Sequence, residues 1–503
     1  MATRVVLAFD VGTSGVKATL VDARAGIIGS AGRGYGLSTP APGWVDQDGL
    51  AIRAAMARAS RELLRDRPVS VEAVSVTAQM FSLQPVDAAL EPVGPMLSWL
   101  DQRAAGVAAD LARRVPPEEQ ARRLGSRVTA KDIVARALWL RAEAPDRYAR
   151  TAWLLDCKEA VVAWLCGVAV IDPSGASAWR LTDATGEAWQ QGSCTLAGID
   201  RALLPPIAPA TTIAGGLTAV AARALGVPAG TPVLVGAGDV PASQLGAGAV
   251  GPGRAHLSLG TAAYLGIDAD PGVRDPAGNL GTLAHAVPGR TIVWLEIATG
   301  GGALAWVGRV LAPAGARGMP PARLERLASS VAGETDDLLF APWLSGERVP
   351  LFDDSARGAF VGLGLQHGPG HLARAVMEGV AFQIRWALAY GIDFGTIPTG
   401  IRVVGGGGVG SVWLGIIADT LDRELEVVAS PQDAAALGAA AIAFVGLGWW
   451  DGLQRVDDLV RVERVVRPDP ARTEARDRLY PLFQRLHPAL AAASADPPVE
   501  AVA

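Results

Sequence analysis

Two β-forming apolar runs, residues 5–9 and 16–21, are joined by Asp10-Val11-Gly12-Thr13-Ser14-Gly15. That reads as a hairpin with a glycine-rich turn. A third short run at Ile27 and Ile28, a helical stretch over 48–65 and a strand over 71–76 complete a β-β-β-α-β beginning. The same grammar restarts near Gly226, with a strand over 232–236 and then runs 255–260 and 261–267 around another Gly-Thr pair. A chain that repeats this grammar reads as internally duplicated, each half a mostly parallel sheet covered by helices.

Helical patterning dominates residues 103–167, with a start at Thr129 and a stop at Gly167. In the second half helices are expected over 301–311 and 371–389, a strand over 401–404, a helix over 412–421, a strand over 425–429 and a helix over 433–447. The length of 503 residues exceeds the roughly 250 to 300 beyond which one core stops growing. Two domains follow, 1–245 and 246–490, with a cleft between them and a flexible tail over 491–503.

Composition narrows the partners. Hydrophobic residues make up 50% and charged residues 19%, which excludes intrinsic disorder. Lys+Arg 45 against Asp+Glu 50 gives a net charge of −5, so no basic surface for nucleic acid or acidic lipid is implied, and a small molecule is the expected partner. Cys157, Cys166 and Cys194 fit neither a disulfide framework nor a zinc spacing, and the five histidines are scattered. A reducing cytoplasm is the expected location, since residues 1–10 carry no export signal. The uncharged stretch 434–450 is short for a bilayer span and rich in Ala and Gly, so it reads as a buried helix.

The turn 10–15 combines backbone that can approach an anion closely, two hydroxyl donors and a carboxylate able to hold hydrated Mg²⁺. Lys17 follows it. The chain holds only three lysines, Lys17, Lys131 and Lys158, and otherwise uses arginine, so a compact ammonium there suggests a role. An ordinary hairpin turn with a solvated lysine is the alternative. Gly260-Thr261 repeats the Gly-Thr pair in the second half. Gly236-Ala237-Gly238-Asp239 places Asp239 at a strand's C-terminal end, where open α/β sheets bind ligands, making it a candidate general base. A helix N-cap before Pro241 would also explain it. The run 405–410 mimics a dinucleotide fingerprint, with Glu424 and Glu426 downstream, but lies far along the chain. Neither a Walker-type loop nor a Gly-x-Ser-x-Gly elbow is present.

Taken with Trp44 to Asp48, Trp99 to Arg103, Leu257 to Thr261, Leu344-Ser345-Gly346-Glu347-Arg348-Val349-Pro350 and Ala375-Val376-Met377-Glu378-Gly379, these residues resemble the FGGY carbohydrate kinases, and most closely their xylulokinase-like branch. The resemblance spans nearly the whole chain. It implies an α/β fold of two actin-like, ribonuclease H-like domains flanking an ATP and sugar cleft, and ATP-dependent phosphorylation of a sugar or polyol hydroxyl. By position it makes Asp239 the base that takes the proton from the acceptor and Asp10 the organiser of Mg²⁺. Gly12, Thr13, Ser14 and Lys17 would contact phosphate, as would Gly260 and Thr261, while Gly405, Gly406 and Gly407 would pack on adenosine, with residues 436–440 in the same region. Sugar contacts are expected at Gln79, Met80, Trp99, Asp101, Arg103 and Asp239.

The departures bear on the acceptor. Phe81 follows Gln79-Met80 where xylulokinases carry His, and Val240 follows Asp239 where they carry Asn. Two polar sugar contacts are missing, each worth roughly 1 to 3 kcal/mol. Val409 stands in place of an Arg, and Ala262 in place of a Ser. A ketopentose such as D-xylulose is the implied substrate, with ribulose, a pentitol, erythritol or glycerol as alternatives, and a non-catalytic actin-like sugar or nucleotide sensor as the alternative from another class. A homodimer is the candidate assembly.

Overall fold

The computed structural model describes residues 2–316, 318–331 and 338–495. They group into two units, one drawn from Met1–Pro252, Asp268–Val293 and Asp433–Arg461, the other from Gly253–Ile267, Trp294–Gln432 and Val462–Ala503.

In the first unit, β1 (Thr3–Val11), β2 (Gly15–Asp22), β3 (Gly26–Gly34), β4 (Val69–Ala78), β5 (Ile213–Gly216) and β6 (Pro232–Leu234) form a sheet in the order β5-β6-β4-β1-β2-β3. β1 and β2 form the expected antiparallel hairpin, with Asp10 opposite Lys17. β4 runs parallel to β1 on one side and to β6 on the other. Residues 5–9 of β1 are all apolar and buried because the sheet is covered on both faces. Val5, Leu7, Phe9 and Val11 enter one core, with the helices Gly49–Leu64 and Cys157–Cys166. Val6 and Ala8 enter another, with the helix Ala434–Gly446. This last helix is the uncharged stretch read as buried. Among the described residues no helix is long and apolar enough to cross a membrane.

Helices fill most of the stretch 103–167, as expected, with two differences of detail. Ile133–Glu143 starts four residues after Thr129, because the Asp132 carboxylate folds back to accept from the Thr129 N–H at 2.7 Å. A strand, Trp153–Leu155, then interrupts before the helix Cys157–Cys166 stops at Gly167, whose φ of 73° is the left-handed conformation a helix end favours.

In the second unit, β7 (Arg254–Leu259), β8 (Ala263–Ala269), β9 (Thr291–Ile297), β10 (Gly400–Val404), β11 (Leu425–Val428) and β12 (Val462–Val466) run in the order β9-β8-β7-β10-β11-β12. The β7–β8 hairpin with β10 parallel to β7 repeats the β1–β2 hairpin with β4 parallel to β1. Packing here includes Trp343, Phe382 and Phe483, the last from the helix Pro470–Ala495. That helix runs into the expected tail, whose residues 496–503 lie outside those described.

Candidate active site

In the first unit, three strand ends meet. The short strand Ala237–Gly238 pairs parallel with β4, Gly238 opposite Ala78. The Gln79 N–H donates to the Val11 carbonyl at 2.8 Å. Asp10, Gln79 and Asp239 therefore sit at the C-terminal ends of neighbouring parallel strands, the position at which open α/β sheets take ligands. Asp239 is the first residue of the helix Asp239–Gly246 rather than the cap of a helix starting at Pro241, and its Oδ1 accepts from the Val240 N–H at 2.9 Å. Gly236, at φ 72°, makes the preceding bend, where a Cβ would lie 2.1 Å from the Val76 carbonyl oxygen. A Cβ on Gly238 would lie 2.4 Å from Met80 Sδ, so Met80 packs directly on the turn that carries Asp239.

The electrostatics follow from this crowding. Asp239 is pushed up to about 7, first by loss of hydration and then by the Asp10 charge. Asp10 is pushed up to about 6 by loss of hydration, opposed by Lys17 and reinforced by Asp433. The Lys17 Nζ donates to Asp433 Oδ1 at 2.8 Å.

The turn 10–15 is held from several directions. Gly12 N–H donates to the Gly15 carbonyl at 2.9 Å, and the Tyr35 hydroxyl donates to the Gly12 carbonyl. Trp99 Nε1 donates to Thr13 Oγ1 at 2.9 Å. Gln79 Nε2 donates to Gln47 Oε1 at 2.8 Å, and Gln47 Nε2 donates to the Thr13 carbonyl at 2.7 Å. Gln79 and Trp99, expected to meet the sugar, thus also orient the Thr13 turn. Ser14 is exposed. Arg103 is fixed by protein: its guanidinium pairs with Asp101 at 2.8 Å and with Asp46, and lies 4.1 Å from the centre of the Trp44 ring, leaving the side chain 2% exposed. Asp101 is fully buried and accepts from the Val45 N–H at 2.6 Å, so this pair braces the loop that presents Trp99.

In the second unit, Gly260 and Thr261 are exposed at the β7–β8 turn, closed by Gly260 N–H donating to the Ala262 carbonyl at 3.0 Å. Gly301 and Gly302 N–H groups donate to the Gly260 and Thr261 carbonyls at 2.8 and 2.9 Å. Gly405, at φ 85°, would place a Cβ 2.9 Å from the Leu259 carbonyl oxygen, and Gly407 would place one 2.8 Å from Leu259 Cβ. The glycine-rich turn therefore lies against the residue preceding Gly260. The side chain of Val409 falls outside the described residues. Glu424 and Glu426, which gave this segment its dinucleotide look, pair with Arg467 at 2.9 Å and Arg402 at 3.0 Å.

Asp433, Tyr35 and Gly300 to Gly302 carry no signature in the sequence and are brought in by the fold, while Gln47 and Glu347 lie in segments that carry the family resemblance, without a role of their own. Glu347, 1% exposed, accepts from the Ala298 and Arg348 N–H groups at 2.8 Å each, and burial pushes its carboxyl up to about 8.

Residues 5–246 match the model of the FGGY family of carbohydrate kinases, N-terminal domain, and residues 255–447 match that of its C-terminal domain. The chain is 28% identical over 495 residues to a xylulose kinase of Escherichia coli (strain K12), covering 96% of this chain and all of that protein. It is 27% identical over 497 residues to a gluconokinase of Bacillus subtilis (strain 168), covering 96% of each. Among solved structures, a xylulose kinase from Rhodospirillum rubrum superposes with a TM-score of 0.86 at 32% identity, covering 97% of this chain and 99% of that one. With both domain models matched in order along the chain, this protein belongs to the FGGY family of carbohydrate kinases and is an ATP-dependent sugar kinase of the two-domain α/β fold.

Proposed function

We propose that the chain phosphorylates a hydroxyl of a ketopentose such as D-xylulose, with Asp239 as the general base. The observation that carries this reading is the Asp239 carboxylate itself. It is partly exposed at a strand end beside Gln79 and Met80, and burial and Asp10 raise it to about 7, near the pH at which a base works best. Asp239 takes the proton of the acceptor hydroxyl as that oxygen bonds to the γ-phosphorus of ATP. The bond from phosphorus to the bridging oxygen breaks, and ADP leaves. Thr13, Ser14 and Lys17 offer donors to the transferring phosphoryl group, whose charge needs fixed positive partners. In the second unit, Gly260 and Thr261 would meet phosphates, and Gly405, Gly406 and Gly407 leave room for adenosine beside the backbone.

Among the described residues no cluster of three or more His, Cys, Asp or Glu side chains is arranged to hold a metal ion. Mg²⁺ takes one or two carboxylates together with phosphates and water. Asp10 suits that demand, since a cation would favour the ionised form of a carboxyl that burial, and to a lesser degree the Asp433 charge, raises to about 6. Bound there, Mg²⁺ would supply charge neutralisation of the phosphates.

Phe81 and Val240 favour a second reading, in which the acceptor is another polyol or sugar whose hydroxyl pattern needs fewer polar partners at those two positions. Both readings are tested by incubating the protein with Mg-ATP and D-xylulose, D-ribulose, pentitols, erythritol, glycerol and D-gluconate, and measuring ADP. D-xylulose is expected to give the highest kcat/KM. Turnover confined to another acceptor selects the second reading, and no turnover with any overturns both.

A further inference from the structure

The helix Cys157–Cys166 begins beneath the candidate site, and its first turn holds both segments that form it. Asp156, 4% exposed, accepts from the N–H groups of Phe81 and Ser82 at 2.7 and 2.8 Å, fixing the segment that presents Gln79 and Met80. Two residues on, the Lys158 Nζ donates to the Val235 carbonyl at 3.1 Å and pairs with Glu159 at 2.7 Å and Asp172 at 3.1 Å. Asp172 is fully buried, accepts from the Ser174 N–H at 2.9 Å and takes the Ser174 hydroxyl as well. Ser174 Oγ in turn accepts from the Gly238 N–H at 3.2 Å.

The residues 235–238 are thus gripped at both ends, the Val235 carbonyl by Lys158 and the Gly238 N–H by Ser174, and Asp172 ties the two grips together. The segment between them includes Gly236 in its left-handed bend and leads straight into Asp239. We propose that Lys158, Asp172 and Ser174 are positioning residues that set the Asp239 carboxylate for proton abstraction. This rests on Asp239 acting as the base.

The chemistry accounts for a lysine at this place. One ammonium must reach a carbonyl and two carboxylates from different directions while 2% exposed, which a compact donor with three rotatable protons does and a planar guanidinium does not. Loss of hydration alone would lower this ammonium, yet Glu159 and Asp172 hold it above the usual lysine value. A buried Lys with two carboxylates is a costly device for stability alone, since apolar packing of similar volume serves that purpose as well.

The test is a double-mutant cycle on kcat, with Ser174→Ala combined with Asp239→Asn. Ser174→Ala removes the acceptor for the Gly238 N–H without stranding a charge. It is expected to lower kcat about 10-fold with KM for ATP unchanged, and to change kcat less than about twofold once Asp239 is already Asn. The same fold loss in both backgrounds, or no loss in the wild-type background, overturns the proposal. Retained activity in Asp239→Asn alone overturns the base assignment instead, so the two failures are separate. Lys158→Met is expected to behave as Ser174→Ala does; should it fail to fold, Ser174→Ala decides.

Discussion

The Lys17 ammonium meets the Asp433 carboxylate at 2.8 Å although 416 residues of chain separate them. Asp433 immediately precedes the helix that covers one face of β1, so the same helix that seals the core also anchors the Lys17 ammonium. Lys17→Met is expected to lower kcat/KM by roughly 10²-fold, the scale of losing one donor to a developing anion. Lys17→Arg should rescue little, because a guanidinium cannot take the place of a compact ammonium already committed to Asp433. Steady-state kinetics of the two variants check this, and wild-type rates for Lys17→Arg would count against a geometric role.

Asp239→Asn should lower kcat roughly 10²- to 10⁴-fold. It should also stabilise the metal-free protein. Burial and then the Asp10 charge push this carboxyl from its ordinary 3.8 up to about 7, so the stability it contributes is present below 3.8 and is lost as pH rises through 7. In thermal melts with a chelator present, the Asn variant is expected to melt a few degrees above wild type at pH 8, with the gap closing toward pH 4. An acidic limb in the kcat/KM profile of the wild type should appear near pH 7.

The parts of this site that were legible in the sequence are those written locally. The 10–15 turn, the bend before Asp239 and the second Gly-Thr pair each adjoin apolar β-forming runs, and β1 to β4 fall where those runs put them. What was not legible is contact over distance. No local pattern connects Lys17 to Asp433, Ser174 to Gly238 or Gln47 to Thr13, since each pair meets only after the sheet has formed. Trp99 shows the same limit: its indole N–H donates to Thr13, whereas the sequence offered it only as a sugar contact.

The close crossing of Asp239–Gly246 and Ala434–Gly446 gives a stability prediction. A Cβ on Gly438 would lie 1.9 Å from the Ala242 carbonyl oxygen, and one on Gly246 would lie 1.7 Å from the Ala434 carbonyl oxygen. The backbones touch, and the neighbours at both crossings are main chain, which cannot step aside as a side chain can. Gly438→Ala is expected to destabilise by about 1–3 kcal/mol or more, a fall of several degrees in Tm, and to shift the helix that begins with Asp239. Thermal melts together with kcat for the variant check both, and an unchanged Tm would refute the direct backbone contact.

Glu347 provides a pH prediction away from the strand ends. Its carboxyl is raised from 4.5 to about 8 by burial, so the stabilisation it contributes below pH 4.5 is lost as pH rises through 8. Each unit in that window costs the folded state up to about 1.4 kcal/mol. Glu347→Gln keeps the shape and one carbonyl oxygen for the Ala298 and Arg348 N–H groups, and removes the ionisation. Wild type and variant are expected to melt together near pH 5 and to diverge by several degrees at pH 8.5, the variant being the more stable. Parallel melting curves across that range would show that Glu347 does not ionise inside the fold within it.

On the proposed reading the acceptor preference is tested at Val240, next to Asp239, and at Phe81, which follows Gln79-Met80. Val240 is 5% exposed, in the first turn of the Asp239 helix, and Phe81 sits at φ 65° with its N–H held by Asp156 and its carbonyl by Arg136. A bulky aromatic is an uncomfortable occupant of that backbone region, whereas His is enriched there. Phe81→His should therefore fold at least as well as wild type. Val240→Asn adds a donor and an acceptor at the start of the helix without lengthening the side chain much. If these positions face the acceptor, the double variant should raise kcat/KM for D-xylulose about 10-fold, roughly 1.4 kcal/mol and the scale of one satisfied hydroxyl, while leaving KM for ATP unchanged. A gain shared equally by every acceptor would place the effect on the phosphoryl step instead, and no gain with any acceptor would remove both residues from the specificity argument.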